Sequence, residues 1–253
     1  MFRNAIVRLP CPSITEGLTS ARLGKPDYSM ALVQHTLYTE TLRNLGLKVF
    51  VLEADDHYPD STFIEDIALC TSGFAVITNP GAESRRGEIK GIKKVLQEFY
   101  DTIEEISYPG TLEAGDVMMT GNHFFIGVSN RTNREGADQL IKILESNGMT
   151  GSAIPLRKML HLKSGASYLD NNKMLVCGEL ETCSELDRFD RIGVDAAESY
   201  AANSLWINGT VLVPDGFPCT KNKIESAGFK TITLNVSEFQ KVDGGLSCLS
   251  LRF

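Results

Sequence analysis

The chain has 253 residues, 42% of them hydrophobic and 23% charged, so it can bury a sizeable core without disulfide or metal staples. Its net charge is −7 and it has no Lys/Arg-rich run, which excludes a duplex nucleic-acid binder that needs a basic face. No apolar run approaches the length of a membrane span, and Arg8 and Pro10 break the apolar start of the chain short of a signal-peptide core. The expected compartment is therefore the reducing cytoplasm. There the six cysteines (Cys11, Cys70, Cys177, Cys183, Cys219 and Cys248) stay as thiols, mostly buried as small apolar residues. No spacing among them gives Cys-x-x-Cys, so no structural zinc site is expected.

The first helical pattern runs over Asp27–Leu45. Ala31, Leu32, His35, Leu37, Tyr38 and Leu42 recur at three-to-four spacings, and Gly46 stands where a helix stop belongs. A strand over Lys48–Leu52 follows. Another, Phe74–Thr78, comes after the turn pair Ser72-Gly73 and leads to a helix over Arg85–Tyr100, marked by Ile89, Ile92, Val95, Leu96 and Phe99. Gly121-Asn122 introduces the strand Phe124–Val128, which precedes a helix over Asn133–Ser146 stopped by Gly148. Asn171-Asn172 introduces Lys173–Cys177, after which a fourth helix is poorly marked. Asn208-Gly209 introduces Thr210–Val213, closed by Pro214, which cannot donate to a ladder.

Strands and helices thus alternate with a period of roughly 40 to 50 residues. This predicts an α/β fold in a single domain over residues 1–253, since no linker divides the chain. Periodicity leaves two architectures open: five units in a propeller-like closure, or an ordinary doubly wound sheet.

Four stretches carry chemistry. Lys241-Val-Asp-Gly-Gly-Leu-Ser-Cys248 places a thiol just after two glycines, which allow close backbone approach or positive φ. Alone, Cys248 reads more readily as a buried strand thiol. Met159-Leu-His161-Leu-Lys163 holds an imidazole in an apolar context before a glycine turn. The other histidines sit on a helix (His35), in a polar loop (His57) and in a hairpin turn (His123), so His161 is the partner a nucleophilic cysteine would have. Gly110-Thr-Leu-Glu113-Ala-Gly-Asp116 sets two carboxylates around a small pair, either facing one pocket or lying in a solvated acidic turn. In Asp60-Ser-Thr-Phe-Ile-Glu65-Asp66, carboxylates stand at the lip of an apolar strand. Burial there is costly unless a cation pairs them, and a plain acidic loop is the simpler reading.

Taken together, Glu-Ala-Gly-Asp, the later histidine and the C-terminal Gly-Gly-x-Ser-Cys resemble the guanidine-modifying superfamily, the penteins. The likeness is greatest to the bacterial type of dimethylarginine dimethylaminohydrolase and runs essentially end to end. Ile14–Ser20 and Leu23–Asp27 resemble that family's substrate-covering loop. Pro80–Glu88, Arg131-Thr-Asn133 and Ser199-Tyr-Ala-Ala-Asn203 also match.

The resemblance implies a five-bladed α/β propeller of pseudo-fivefold ββαβ units around a central channel. It implies hydrolysis of Nω-methylated arginines to citrulline and a methylamine, with nitric-oxide regulation and nutrient use of methylarginines both compatible as the setting. It implies no metal and no cofactor, and leaves a homodimer open. Cys248 would attack the guanidinium carbon, forming a thiouronium, while His161 serves as acid and then as base. Glu113 would orient His161, and Asp66 with Glu65 beside it would clamp the guanidinium. Asp60 and the Leu18 backbone would hold the α-amino group, Arg85 and Arg131 the α-carboxylate, and the Val242 backbone the reactive end. Arginine and agmatine deiminases carry an aspartate two residues after the histidine, where this chain has Lys163. That absence favours a methylated substrate over the alternative, an arginine deiminase-like activity.

Overall fold

A computed structural model describes residues 1–253. Met1–Ile64 carries strand β1 (Asn4–Arg8), helix α1 (Tyr28–Asn44) and β2 (Lys48–Leu52). Glu65–Gly193 opens with β3 (Ala68–Cys70), β4 (Ala75–Ile77), α2 (Ile89–Leu96) and β5 (Ile103–Glu105). It continues with β6 (Val117–Thr120), β7 (His123–Val128), α3 (Arg134–Ser146), β8 (Thr150–Pro155), β9 (Ala166–Asp170), β10 (Lys173–Val176) and β11 (Asp190–Gly193). Val194–Phe253 carries β12 (Leu205–Ile207), β13 (Thr210–Pro214), α4 (Pro218–Ser226), β14 (Lys230–Leu234), α5 (Ser237–Gln240) and β15 (Leu251–Arg252). The first and last stretches form one compact unit; the middle stretch forms the other.

Every sheet follows one rule: two strands pair antiparallel, and the second then pairs parallel with a third. The terminal unit holds the sheets β15-β1-β2 and β12-β13-β14; the middle unit holds β3-β4-β5, β6-β7-β8 and β9-β10-β11. A parallel third strand needs a crossover. Helices α1 to α4 supply it in four cases, and two 3-10 turns, Gly178–Thr182 and Ser184–Leu186, supply it between β10 and β11. The five expected ββαβ-type units are therefore present as five separate three-stranded sheets, and a continuous doubly wound sheet is not.

Local chemistry explains the boundaries. The Asp27 carboxylate accepts from Met30 N–H at 2.9 Å, and the Asn133 side chain accepts from Gly136 N–H at 2.8 Å, so each caps its helix. Gly46 and Gly148, expected as helix stops, adopt positive φ. The predicted helix over Arg85–Tyr100 is shorter: a 3-10 segment, Glu83–Glu88, precedes α2. Gly87 and Gly91 weaken helix propensity there, and Tyr100 is drawn off to donate to Thr71 O at 2.8 Å.

In the terminal unit, Tyr38, Leu42, Phe63, Leu212, Phe239 and Leu249 share one core. In the middle unit, β7 is buried on both faces between two cores: Phe124 and Ile126 enter the first, Phe125 the second. Leu112 and Ala114 belong to the first and Leu162 to the second, so Glu113 and His161 are each anchored by apolar neighbours in sequence. The six cysteines are free; Cys11, Cys70 and Cys177 are buried, Cys183 and Cys248 partly exposed and Cys219 exposed. No helix is long and apolar enough to cross a membrane.

Candidate active site

The middle unit builds a carboxylate–imidazole cluster. Glu113 immediately precedes the 3-10 turn Ala114–Asp116 and is wholly buried. Its Oε2 lies 2.8 Å from His161 Nε2, while its Oε1 accepts from Ala82 N–H at 3.0 Å and lies 3.4 Å from Arg131 Nη1. Asp116, at the far end of the same turn, accepts from Leu162 N–H at 2.9 Å and from the Ser129 hydroxyl at 2.7 Å, which ties down the backbone next to the histidine.

Asp66 accepts from Gly115 N–H at 3.0 Å and from Arg85 Nη1 at 2.5 Å. A Cβ on Gly115 would sit 2.7 Å from Asp66 Oδ1 and 2.9 Å from His161 Nδ1. The glycine of Glu-Ala-Gly-Asp is thus what lets carboxylate and imidazole close on one turn. Glu65 pairs with Lys163 at 2.7 Å, and Glu88 takes the remaining face of the Arg85 guanidinium at 2.9 and 3.0 Å.

Five carboxylates (Glu65, Asp66, Glu88, Glu113 and Asp116) are buried here, against the basic side chains of Arg85, Arg131 and Lys163. Carboxylates therefore outnumber cations by two, and by one when His161 is protonated. Burial disfavours the imidazolium, but Asp66, the bond to Glu113 and Asp116 outweigh it and raise the pKa of His161. Burial likewise opposes the Glu113 carboxylate, but His161 and Arg85 hold its pKa below the ordinary carboxylate range. For Asp116 burial wins, and its pKa rises to about 6. Asp66, Glu113 and His161 place ligand atoms within 4.8 Å of one another, a set that could receive a metal ion. Such an ion would have to displace the Arg85 ion pair and the Glu113–His161 bond.

The terminal unit presents the cysteine. Cys248 lies in the 3-10 turn Ser247–Leu249, partly exposed, and its Sγ is 3.4 Å from Gly245 N–H, which points at it as a donor. The Gly244-Gly245 pair is required by close approach, since neither adopts positive φ. A Cβ on Gly244 would fall 2.1 Å from the Phe63 ring, and one on Gly245 would fall 2.5 Å from Asn203 Oδ1. The left-handed residue is Asp243, with φ 56°.

Asp60, also in this unit, is buried and accepts from Leu18 N–H at 3.0 Å. The Leu18 carbonyl and the Asp60 carboxylate are the acceptors an ammonium group needs. Val242 is buried, its N–H donating to Phe239 O at 3.0 Å. The predicted covering loop is clasped onto residues 241–243: Thr19 donates to Lys241 O, and Ser20 and Ala21 donate backbone N–H groups to the Asp243 carboxylate.

The structure thus brings Glu65, Asp66, Arg85, Glu113, Arg131 and His161 together in one unit, and Leu18, Asp60, Val242 and Cys248 in the other. It adds partners that sequence reasoning missed. Lys163 stood out only as a missing acid, yet it is the counter-ion of Glu65. Glu88 and Asp243 carried no signal beyond being acidic and close in sequence to named residues.

A family model described as eukaryotic N,N dimethylarginine dimethylhydrolase matches residues 24–185. The N(G),N(G)-dimethylarginine dimethylaminohydrolase of Pseudomonas aeruginosa is 50% identical over the full length of both chains. A cysteine mutant of the P. aeruginosa enzyme, solved in complex with citrulline, superposes with a TM-score of 0.99 at 49% identity, covering 100% of each chain. The N-terminal domain of ArgZ, a cyanobacterial arginine dihydrolase solved with its substrate, shares the fold alone: TM-score 0.90 and 20% identity, covering 100% of this chain and 98% of that one. With five repeated ββαβ-like units and full-length identity of this order, the chain belongs to the dimethylarginine dimethylaminohydrolase family, within the guanidine-modifying superfamily.

Proposed function

We propose that the chain hydrolyses Nω-methylated arginines to citrulline and dimethylamine or methylamine, acting as one catalytic domain. The observation that carries this is the buried acidic cluster around a protonatable histidine, which suits a guanidinium cation, together with the family's citrulline-bound relative. The guanidinium carbon is resonance-stabilised, so a thiolate is the fitting nucleophile. Cys248 attacks it; His161, charged by Asp66 and Glu113, gives a proton to the departing amine. The resulting imidazole then takes a proton from water, which attacks the thiouronium carbon, and citrulline leaves. Glu113 holds the ring, Asp66 and Glu65 face the cation, and Asp60 with the Leu18 carbonyl holds the α-amino group. The Val242 backbone lines the reactive end. Arg131 is better suited than Arg85 to the α-carboxylate, because three nitrogens of Arg85 already meet Asp66 and Glu88.

Lys163 argues against an arginine deiminase-like activity. It stands where the deiminases carry a second acid, and it neutralises Glu65. No cofactor is invoked, nucleic acid is no partner, and a homodimer, a cytoplasmic location and removal of nitric-oxide inhibitors complete the proposal. Six free thiols suit a reducing compartment.

The test offers asymmetric dimethylarginine, monomethylarginine and arginine in parallel and measures citrulline, dimethylamine, methylamine and ammonia. Turnover of the first two is expected; dominant ammonia release from arginine would replace the assignment with a deiminase. Cys248→Ser should abolish turnover and Cys177→Ser should not.

A further inference from the structure

The Ser199-Tyr-Ala-Ala-Asn203 segment has no part in the chemistry above, yet it grips the cysteine turn. Asn203, buried, meets Ser247 twice: its Oδ1 accepts from Ser247 N–H at 3.0 Å, and its Nδ2 donates to Ser247 Oγ at 3.0 Å. The backbone bond fixes the amide orientation, since a flipped amide would turn its NH2 group onto the Ser247 N–H. Tyr200 donates its hydroxyl to Gly244 O at 2.7 Å. From the other side, Arg252 Nη1 donates to Ser247 O at 2.9 Å and Ser250 O at 2.6 Å.

On the assignment of Cys248 as nucleophile, we propose that Asn203 is a positioning residue. By holding Ser247, it fixes the turn in which Gly245 N–H faces the Cys248 sulfur. A hydrogen bond donated to sulfur favours the thiolate, and a turn that can drift forfeits both that bond and the direction of attack. Gly245 lies so close to Asn203 that only a residue without a Cβ fits, so side chain and turn are matched at contact distance. Loss of the amide would leave the buried Ser247 N–H without its acceptor.

The test compares Asn203→Leu, which fills the volume without hydrogen bonds, with Asn203→Asp, which keeps an acceptor for Ser247 N–H. Steady-state turnover of dimethylarginine is measured together with iodoacetamide labelling of Cys248, referenced to the exposed Cys219 in the same sample. For Asn203→Leu, kcat should fall by about tenfold or more with KM within about threefold, and Cys248 labelling should slow relative to Cys219. Asn203→Asp should restore both to within about threefold of the unmodified protein. Asn203→Ala takes the leucine's place if that variant does not fold. Wild-type kcat and labelling in the leucine or alanine variant would overturn the proposal, as would an aspartate variant no better than leucine. Turnover by Cys248→Ser would instead sink the nucleophile assignment itself, and the two failures are told apart by that control.

Discussion

The two units hold their chemical groups by opposite means. His161 is held by charge: Glu113 and Asp66 lie beside it, Asp116 pins its neighbour, and Arg85, Arg131 and Lys163 balance the acids. Cys248 is held by uncharged side chains and by backbone: Asn203 and Tyr200 on one side and Gly245 N–H on the sulfur, with Arg252 bringing a cation. The imidazole must change charge during turnover, so its surroundings set its proton affinity. The thiol must point, so its surroundings set direction. Neutralising substitutions should therefore damage the first region far more than the second.

The sharpest break is Glu113→Gln. Glutamine keeps the shape and an acceptor for Ala82 N–H but removes the charge that sustains imidazolium. Citrulline formation should drop by about 10³-fold in kcat/KM, the scale of general acid–base catalysis combined with loss of an orienting carboxylate. A fall of less than threefold would show that charge is not what holds this region. Next comes Lys163→Met, which leaves Glu65 buried without its counter-ion. Urea unfolding should register a loss of about 3 kcal/mol, recovered largely by adding Glu65→Gln. An unchanged midpoint in the single variant would remove the pair from the comparison.

Gly115→Ala tests distance instead of charge. The new Cβ would have to push Asp66 or the imidazole aside, and a displacement near 1 Å costs about 10²-fold in rate. Gly73→Ala, whose Cβ meets nothing within 4 Å, is the control and should leave kcat unchanged.

How far the sequence announced this depended on range. The turn pairs at Ser72-Gly73, Gly121-Asn122, Asn171-Asn172 and Asn208-Gly209 each join an antiparallel pair, so four of the five sheets announced themselves locally. The fifth pair, β15 with β1, joins the two chain ends and has no turn to read. The poorly marked fourth helix is absent because the segment after β10 forms 3-10 turns, with Glu179 accepting from the N–H groups of Arg157, Lys158 and Met159. In the cluster, Glu113 and His161 were legible through composition and the Glu-Ala-Gly-Asp pattern. Their pairing followed from the family resemblance, but other partners were not foreseen: Glu65 finds Lys163 and Asn203 finds Ser247 across long separations that no local rule encodes.

The smallest effect separates the regions by pH. Asp116 is an acid whose folded-state pKa lies at about 6, above its ordinary 3.8, because burial disfavours the carboxylate. The folded state therefore binds more protons than the unfolded state between those values. Its contribution to stability is complete below the unfolded pKa and is lost as pH rises through about 6. His161, also raised, loses its contribution at higher pH, above the ordinary imidazole range. Glu113, lowered, loses its own only as pH falls below the ordinary carboxylate range. The window from pH 4 to pH 6 thus isolates Asp116. Urea unfolding of the unmodified protein and of Asp116→Asn across it should give a stability difference that falls by about 2 kcal/mol, against a ceiling of about 3 for a shift of that size. A difference between the unmodified protein and Asp116→Asn that is flat or rising would mean that Asp116 is ionised throughout, and that the histidine region is stabilised, not strained, by its innermost acid.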